Sequence, residues 1–170
     1  MNWIFGDNIN TDLITPGRYN ITTDPVEMAK IAFIEYRQEF AKKVQKDDFL
    51  IAGSNFGCGS SRETAAIALK YCGLKAIIAK SFARIFYRNC LNQGLLAIYA
   101  DIAEIKAKDV LVLDLKNCRL ENTTNKTEQK IHIPKFVLTL YHAGGIIPFI
   151  QKNGIKSLEL LETFSQNTYE

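Results

Sequence analysis

The chain has 170 residues, 47% of them hydrophobic and 23% charged, with a formal charge of +3. That length suits one domain with a buried core and no disulfide staples. So small a charge, with no basic run longer than pairs such as Lys42-Lys43, argues against nucleic acid and leaves only a mildly basic surface suited to an acidic substrate or partner. No apolar run approaches the roughly 20 residues of a membrane helix, and Met1 to Asp7 show no basic segment leading into an apolar one, so a cytoplasmic protein away from the membrane is expected. Cys58, Cys72, Cys90 and Cys118 fit no zinc or thioredoxin spacing and are expected to be reduced thiols.

The first 25 residues mix Asn, Asp, Thr, Gly and Pro with short apolar stretches (Trp3-Ile4-Phe5, Leu13-Ile14), which predicts short strands joined by turns. Asp24 then caps a helix with Pro25 in its first position, and Met28, Ile31, Ala32, Ile34 and Phe40 supply its apolar side. Phe49–Gly53 reads as a buried strand. The glycine-rich turn Asn55–Ser61 follows and opens an alanine-rich helix over 62–70, alanine having the best helix propensity. Gly73 stands where a left-handed C-terminal cap belongs. Next come a strand at Ala76–Ala79, a helix near Ala83–Asn92 and a strand at Leu95–Tyr99. The alternation predicts an α/β fold with a partly parallel sheet. Asp109–Leu115 is β-prone, Glu121–Lys130 reads as a hairpin turn leading into Ile131-His132-Ile133, and the chain from Phe136 reads as helix interrupted at Gly144-Gly145 and Pro148. A second short helix, or a frayed tail, is expected beyond Lys156.

The stretch Asn55 to Glu63 holds the chemistry. Gly57-Cys58-Gly59 lets backbone approach a ligand closely, and the following helix start exposes N–H groups that favour anions. Arg62 adds a planar fork for a carboxylate or phosphate. A dinucleotide fingerprint fails at Arg62, a P-loop fails at Cys58, and a nucleophile elbow lacks its second glycine. A bland alternative fits the same residues: Ser60 or Ser61 caps the helix and Glu63 supports it as a capping box. Arg84 and Arg88, four apart on one helix face, suggest either an anion site or packing against the core or a partner. His132 and His142 lie outside these blocks, and no Ser–His arrangement near the turn supports a hydrolase.

The string Gly53-Ser54-Asn55-Phe56-Gly57-Cys58-Gly59-Ser60-Ser61-Arg62-Glu63 closely resembles the signature of the small subunits of isopropylmalate isomerase and homoaconitase, and is similar to the swivelling C-terminal domain of aconitases. Gly6–Pro16 resembles the opening segment of that family, and Lys80–Asn89 its second helix. With Ala143-Gly144-Gly145, the similarity runs from about Gly6 to Ile150. It implies one swivel-type β/β/α domain over the chain that caps a large subunit. A 4Fe-4S cluster is then expected on that large subunit, with no cofactor or metal ligand on this chain. The implied reaction removes water from a 2-hydroxy di- or tricarboxylic acid and returns it at the neighbouring carbon.

By the family pattern Ser60 is the general base, acting as an alkoxide, while the substrate's hydroxyl leaves to cluster iron on the other subunit. Arg62 clamps a substrate carboxylate, Ser61 donates a hydrogen bond, and Asp12 orients a partner histidine or water. Thr11 fixes the turn, and Arg18 either grips the second carboxylate or is a solvated loop charge. Cys58 is read as a spacer rather than a reactive thiol. The substrate-selecting loop maps to Tyr19-Asn20-Ile21-Thr22, where Asn20 replaces the usual leucine and the usual arginine is absent. Thr64 stands where many relatives carry histidine or glutamine. Isopropylmalate leads, with homoaconitate, citraconate/methylmalate and dimethylmalate-type acids open, and a non-catalytic carboxylate- or partner-binding module is the reading from another class. The bare active-site face of such a half-enzyme also suggests self-association when isolated.

Overall fold

The computed structural model describes residues 1–159. The tail beyond Glu159, where a further helix is expected, lies outside the described residues. Four short strands form a parallel sheet in sequential order: β1 (Asn2–Ile4), β2 (Phe49–Ala52), β3 (Ala76–Ala79) and β4 (Ala97–Tyr99). Each crossover between them carries helix: α1 (Thr11–Ile14), α2 (Pro25–Lys30) and α3 (Phe40–Lys43) before β2, then α4 (Glu63–Tyr71) and α5 (Arg84–Gln93). A separate antiparallel sheet follows, built from β5 (Leu111–Asp114), β6 (Arg119–Asn122) and β7 (Thr127–Lys130), and α6 (Lys135–Ala143) and α7 (Ile146–Asn153) come last. The expected α/β class with a partly parallel sheet holds. No helix among the described residues is long and apolar enough to cross a membrane, and the four cysteines are free thiols.

Side-chain alternation along the central strands divides the interior in two. Leu50, Ala52, Ile77 and Ala79 point into one cluster with the helix residues Ala65, Leu69, Phe86 and Cys90. Phe49, Ile51, Ala76 and Ile78 point the other way, against Leu113 and Leu120 of the second sheet and Val137 of α6. Both faces of the parallel sheet are therefore covered, which is why its strands read as unbroken apolar runs. An aromatic group closes the first cluster at its β1 edge. Phe5 stacks on Phe33 with centroids 4.4 Å apart, and Trp3 meets Phe40 edge-on at 4.9 Å. Arg37 lies over the Trp3 and Phe5 rings and donates from Nη1 to the Ile4 carbonyl at 2.8 Å.

Local signals misread several boundaries. Leu13-Ile14 is a helical turn, not a strand, because Asn10 caps it: its Oδ1 accepts from the Asp12 amide at 2.8 Å. The helix begun at Asp24 and Pro25 forms as expected, with Asp24 accepting from the Val26 amide at 2.9 Å. It stops at Lys30, however. Phe33 adopts φ +57°, and its amide goes across to the Ile14 carbonyl at 2.8 Å instead of back along the helix. Glu121–Lys130 supplies most of two strands, with only residues 123–126 turning between them, while Ile131–Ile133 is irregular; here cross-strand pairing overrides polar composition. Leu95 and Leu96 precede β4 rather than belong to it. Pro148 does not interrupt α7, since it sits in the first turn, where the missing N–H has no helical acceptor to lose.

Candidate active site

The carboxyl ends of β1, β2 and β3 meet at one edge, the usual place for a ligand in an open α/β sheet. The chain leaving β1 is laced to the turn leaving β2. The Gly57 amide donates to the Ile9 carbonyl at 2.7 Å, and the Thr11 amide to the Cys58 carbonyl at 2.8 Å. Thr11 Oγ1 donates to the Ser60 carbonyl at 2.9 Å, so the buried Thr11 does fix the turn. From β3, Ser81 adds a carbonyl that accepts from the Phe56 amide at 3.0 Å and an Oγ that accepts from the Asn55 amide at 2.8 Å.

The two turn glycines are steric requirements. Gly57 has φ +77°, and a Cβ there would stand 2.1 Å from Cγ of Phe86. Gly59 has φ +90°, and its Cβ would stand 2.3 Å from Oδ1 of Asn10, the same atom that caps α1. The left-handed backbone and the close approach together exclude any other residue without a shift.

Ser60 and Ser61 end up exposed on this edge, and Arg62 is half-buried. Arg62, not a serine, is the N-cap of α4, and no side chain caps that end. Glu63 instead accepts from Gln93 Nε2 at 2.8 Å. The capping-box alternative therefore fails, and both serine hydroxyls are free of that duty. Arg62 Nη2 pairs with Asp12 Oδ1 at 2.8 Å, joining the opening segment to the turn. The guanidinium also packs on Gly17, where an added Cβ would lie 2.9 Å from Nη1. The first turn of α4 aims its free N–H groups toward the same edge.

The other expected site residues are divided. Asn20 reaches α4, donating from Nδ2 to Thr64 Oγ1 at 3.4 Å. Ile21 projects 89% exposed, and Thr22 Oγ1 accepts from the Asp24 amide at 3.0 Å. Arg18 follows Gly17 directly, but its guanidinium is held by Glu35 and lies over the Tyr19 ring at 5.2 Å. It bonds to nothing in the glycine turn. Cys58 spaces the turn through its backbone. His132 and His142 are exposed, away from these contacts. Asn10 and Gly17 went unrecognised in the sequence. An Asx residue two places before Asp12, at a helix start, is the signal for the first; no local signal marks the second.

The described residues contain no group of three or more His, Cys, Asp or Glu side chains that could hold a metal ion. Cys90 is wholly buried, and burial pushes the Cys72 thiol up to about 12. The donors among the described residues do not fit an iron–sulfur cluster.

Residues 4–102 match the family model for the aconitase C-terminal domain, a span that runs from the last residue of β1 through β4 and contains the glycine turn. A methanogen homoaconitase small subunit from Methanocaldococcus jannaschii is 48% identical over 149 residues, covering 87% of this chain and 88% of that protein. A 3-isopropylmalate dehydratase small subunit from Thermotoga maritima is 48% identical over 155 residues, covering 89% and 93%. The crystal structure of a 3-isopropylmalate dehydratase from Methanocaldococcus jannaschii superposes with a TM-score of 0.86 at 45% identity, covering 93% of this chain and 95% of that one. With a fold and a sequence that agree over most of its length, this chain belongs to the aconitase C-terminal domain family.

Proposed function

We propose that the chain is the small subunit of a heteromeric hydro-lyase that isomerises a 2-hydroxy dicarboxylic acid, 3-isopropylmalate first among them, in the cytoplasm. The observation that carries this reading is the placement of an exposed Ser60 beside an Asp12–Arg62 ion pair at the carboxyl edge of the sheet. The edge is open, so a second polypeptide must close it before charge can develop in a dry site. The homologous subunits are named as small subunits, in keeping with such a partner. A 4Fe-4S cluster belongs to the large subunit in this reading, in keeping with the absence of a metal-binding group among the described residues.

This chain's own contribution is proton abstraction and anion binding. A proton leaves a carbon beside a carboxylate, and negative charge builds on that carboxylate. Ser60 Oγ, as alkoxide, takes the proton. Its ionised form is favoured by the positive end of α4 and by Arg62, because hydrogen bonds and a nearby cation stabilise an anion. Arg62, its fork aligned by Asp12, binds the substrate carboxylate, and Ser61 donates to it. Arg18 grips the second carboxylate after exchanging Glu35 for substrate.

Substrate choice rests on the loop Tyr19 to Thr22. Ile21 offers an apolar surface to an isopropyl group, which favours 3-isopropylmalate over the longer polar chain of homoaconitate. The test is reconstitution with the large subunit of the same organism, followed by assay against isopropylmalate, homocitrate, citramalate and dimethylmalate. Preferred turnover of isopropylmalate supports the reading. Preference for a tricarboxylate reassigns the chain to a homoaconitase. Complex formation with no turnover of any acid would leave only a binding module.

A further inference from the structure

The outward side of α5 carries a surface that the proposed chemistry does not use. Phe86 and Cys90 face inward and are buried. Arg84, Ile85 and Arg88 face the opposite way and line one shallow groove. Ile85 is 53% exposed. Every other arginine of the chain is engaged: Arg18 by Glu35, Arg37 by Glu39, Arg62 by Asp12 and Arg119 by Glu128. Arg84 and Arg88 alone have no acidic partner among the described residues, and they bracket an exposed isoleucine. A pair of unanswered guanidiniums around an apolar side chain is the composition of an interface centre rather than of a solvated helix face, where lysine and glutamate serve better.

Position adds a second argument. Phe56 and Phe82 form a backbone bridge, and the Ala83 amide donates to the Phe56 carbonyl at 2.9 Å. The first turn of α5 therefore flanks the turn that bears Ser60. A specific interface buries about 800 Å² on each partner, a disc of roughly 16 Å radius. A partner that covers Ser60 with a footprint of that size extends onto flanking elements, and α5 is joined to the turn through Phe56 and Phe82.

We propose that Arg84, Ile85 and Arg88 anchor this chain on the cluster-bearing large subunit, by way of an apolar pocket for Ile85 flanked by carboxylates for the two guanidiniums. The proposal rests on the small-subunit reading above. It requires two acidic groups on the partner, placed to receive planar forks about one helical turn apart.

The test is fluorescence anisotropy of the labelled chain titrated with cluster-loaded large subunit at low and high salt, together with kcat at saturating small subunit. Arg84→Glu/Arg88→Glu and, separately, Ile85→Asp are expected to raise the dissociation constant about tenfold or more while kcat at saturation is kept. The milder Arg84→Gln/Arg88→Gln pair serves if charge reversal prevents folding, and it should flatten the salt dependence of binding. Wild-type affinity in all three variants overturns the proposal. So does a dimer of the isolated chain that the Arg variants dissolve while large-subunit affinity stays unchanged. Wild-type association without turnover of any hydroxy acid would sink the functional reading and leave the anchor standing; no association at all would sink both.

Discussion

Replacing Gly59 by alanine tests the architecture of the site edge in a single step. The residue sits at φ +90°, where a Cβ would lie 2.3 Å from Asn10 Oδ1 and 2.7 Å from Asn10 Cγ. The left-handed backbone alone costs alanine about 1–2 kcal/mol. The Asn10 side chain must also move, and its Oδ1 is the cap that accepts from the Asp12 amide at 2.8 Å. Losing an Asn cap costs about 1 kcal/mol. The sum is about 2–3 kcal/mol, measurable by urea unfolding of the isolated chain. Because part of that cost is a collision with Asn10, it should shrink by about 1 kcal/mol when Asn10 is already alanine, a coupling that a double-mutant cycle isolates. In the heteromer, Gly59→Ala should also lower kcat/KM, since Asp12 rides on the capped turn and orients Arg62. Strict additivity of the two substitutions, or a cost below about 0.5 kcal/mol for Gly59→Ala, would refute the steric argument.

Arg62→Lys should raise KM about tenfold while shifting stability by less than about 1 kcal/mol, because the pair with Asp12 is partly exposed and a point charge replaces a fork; steady-state kinetics and denaturant titration separate the two effects. Burial by itself would raise the Asp48 carboxyl, but hydrogen bonds from the Met1 ammonium, the Gln45 amide and the Trp3 indole outweigh it and hold it below the usual range. A carboxyl depressed in the folded state contributes stability above its unfolded value, about pH 3.9, and loses it as pH falls through the folded value. Asp48→Asn should therefore cost about 1–3 kcal/mol near neutrality and converge on wild type in strong acid, as unfolding free energy against pH will reveal. Burial raises both the Cys72 and the Cys90 thiols, and Cys72 Sγ, though its residue is only half-buried, is turned to the Ala29 carbonyl, so neither should label with a thiol reagent at mild alkaline pH before unfolding, whereas Cys58 and Cys118 should label first by mass spectrometry.

What the sequence made legible follows the range of each interaction. β2, β3, α4 and α5 are set by local apolar runs, alanine content and flanking glycines, and the structure places them where those signals put them. The glycine turn was legible because its constraints are backbone constraints: a Cβ at position 57 would collide with Phe86 and one at position 59 with Asn10. Illegible were features decided by distant partners. The break at Phe33 depends on the Ile14 carbonyl, and the strands at 119–130 depend on pairing with one another and with β5. The role of Gly17 exists only because Arg62, far along the chain, rests its guanidinium there. The engagement of Arg18 by Glu35 likewise joins two segments that no spacing rule connects.

The proposed chemistry turns on the Ser60 hydroxyl at the open carboxyl edge of the sheet. Ser60→Ala, assembled with the large subunit to the same stoichiometry as wild type, should lower kcat by about a hundredfold or more with KM little changed, while the isolated wild-type chain shows no turnover. A Ser60→Ala heteromer with wild-type kcat, or a wild-type chain that turns over substrate unaided, would contradict it.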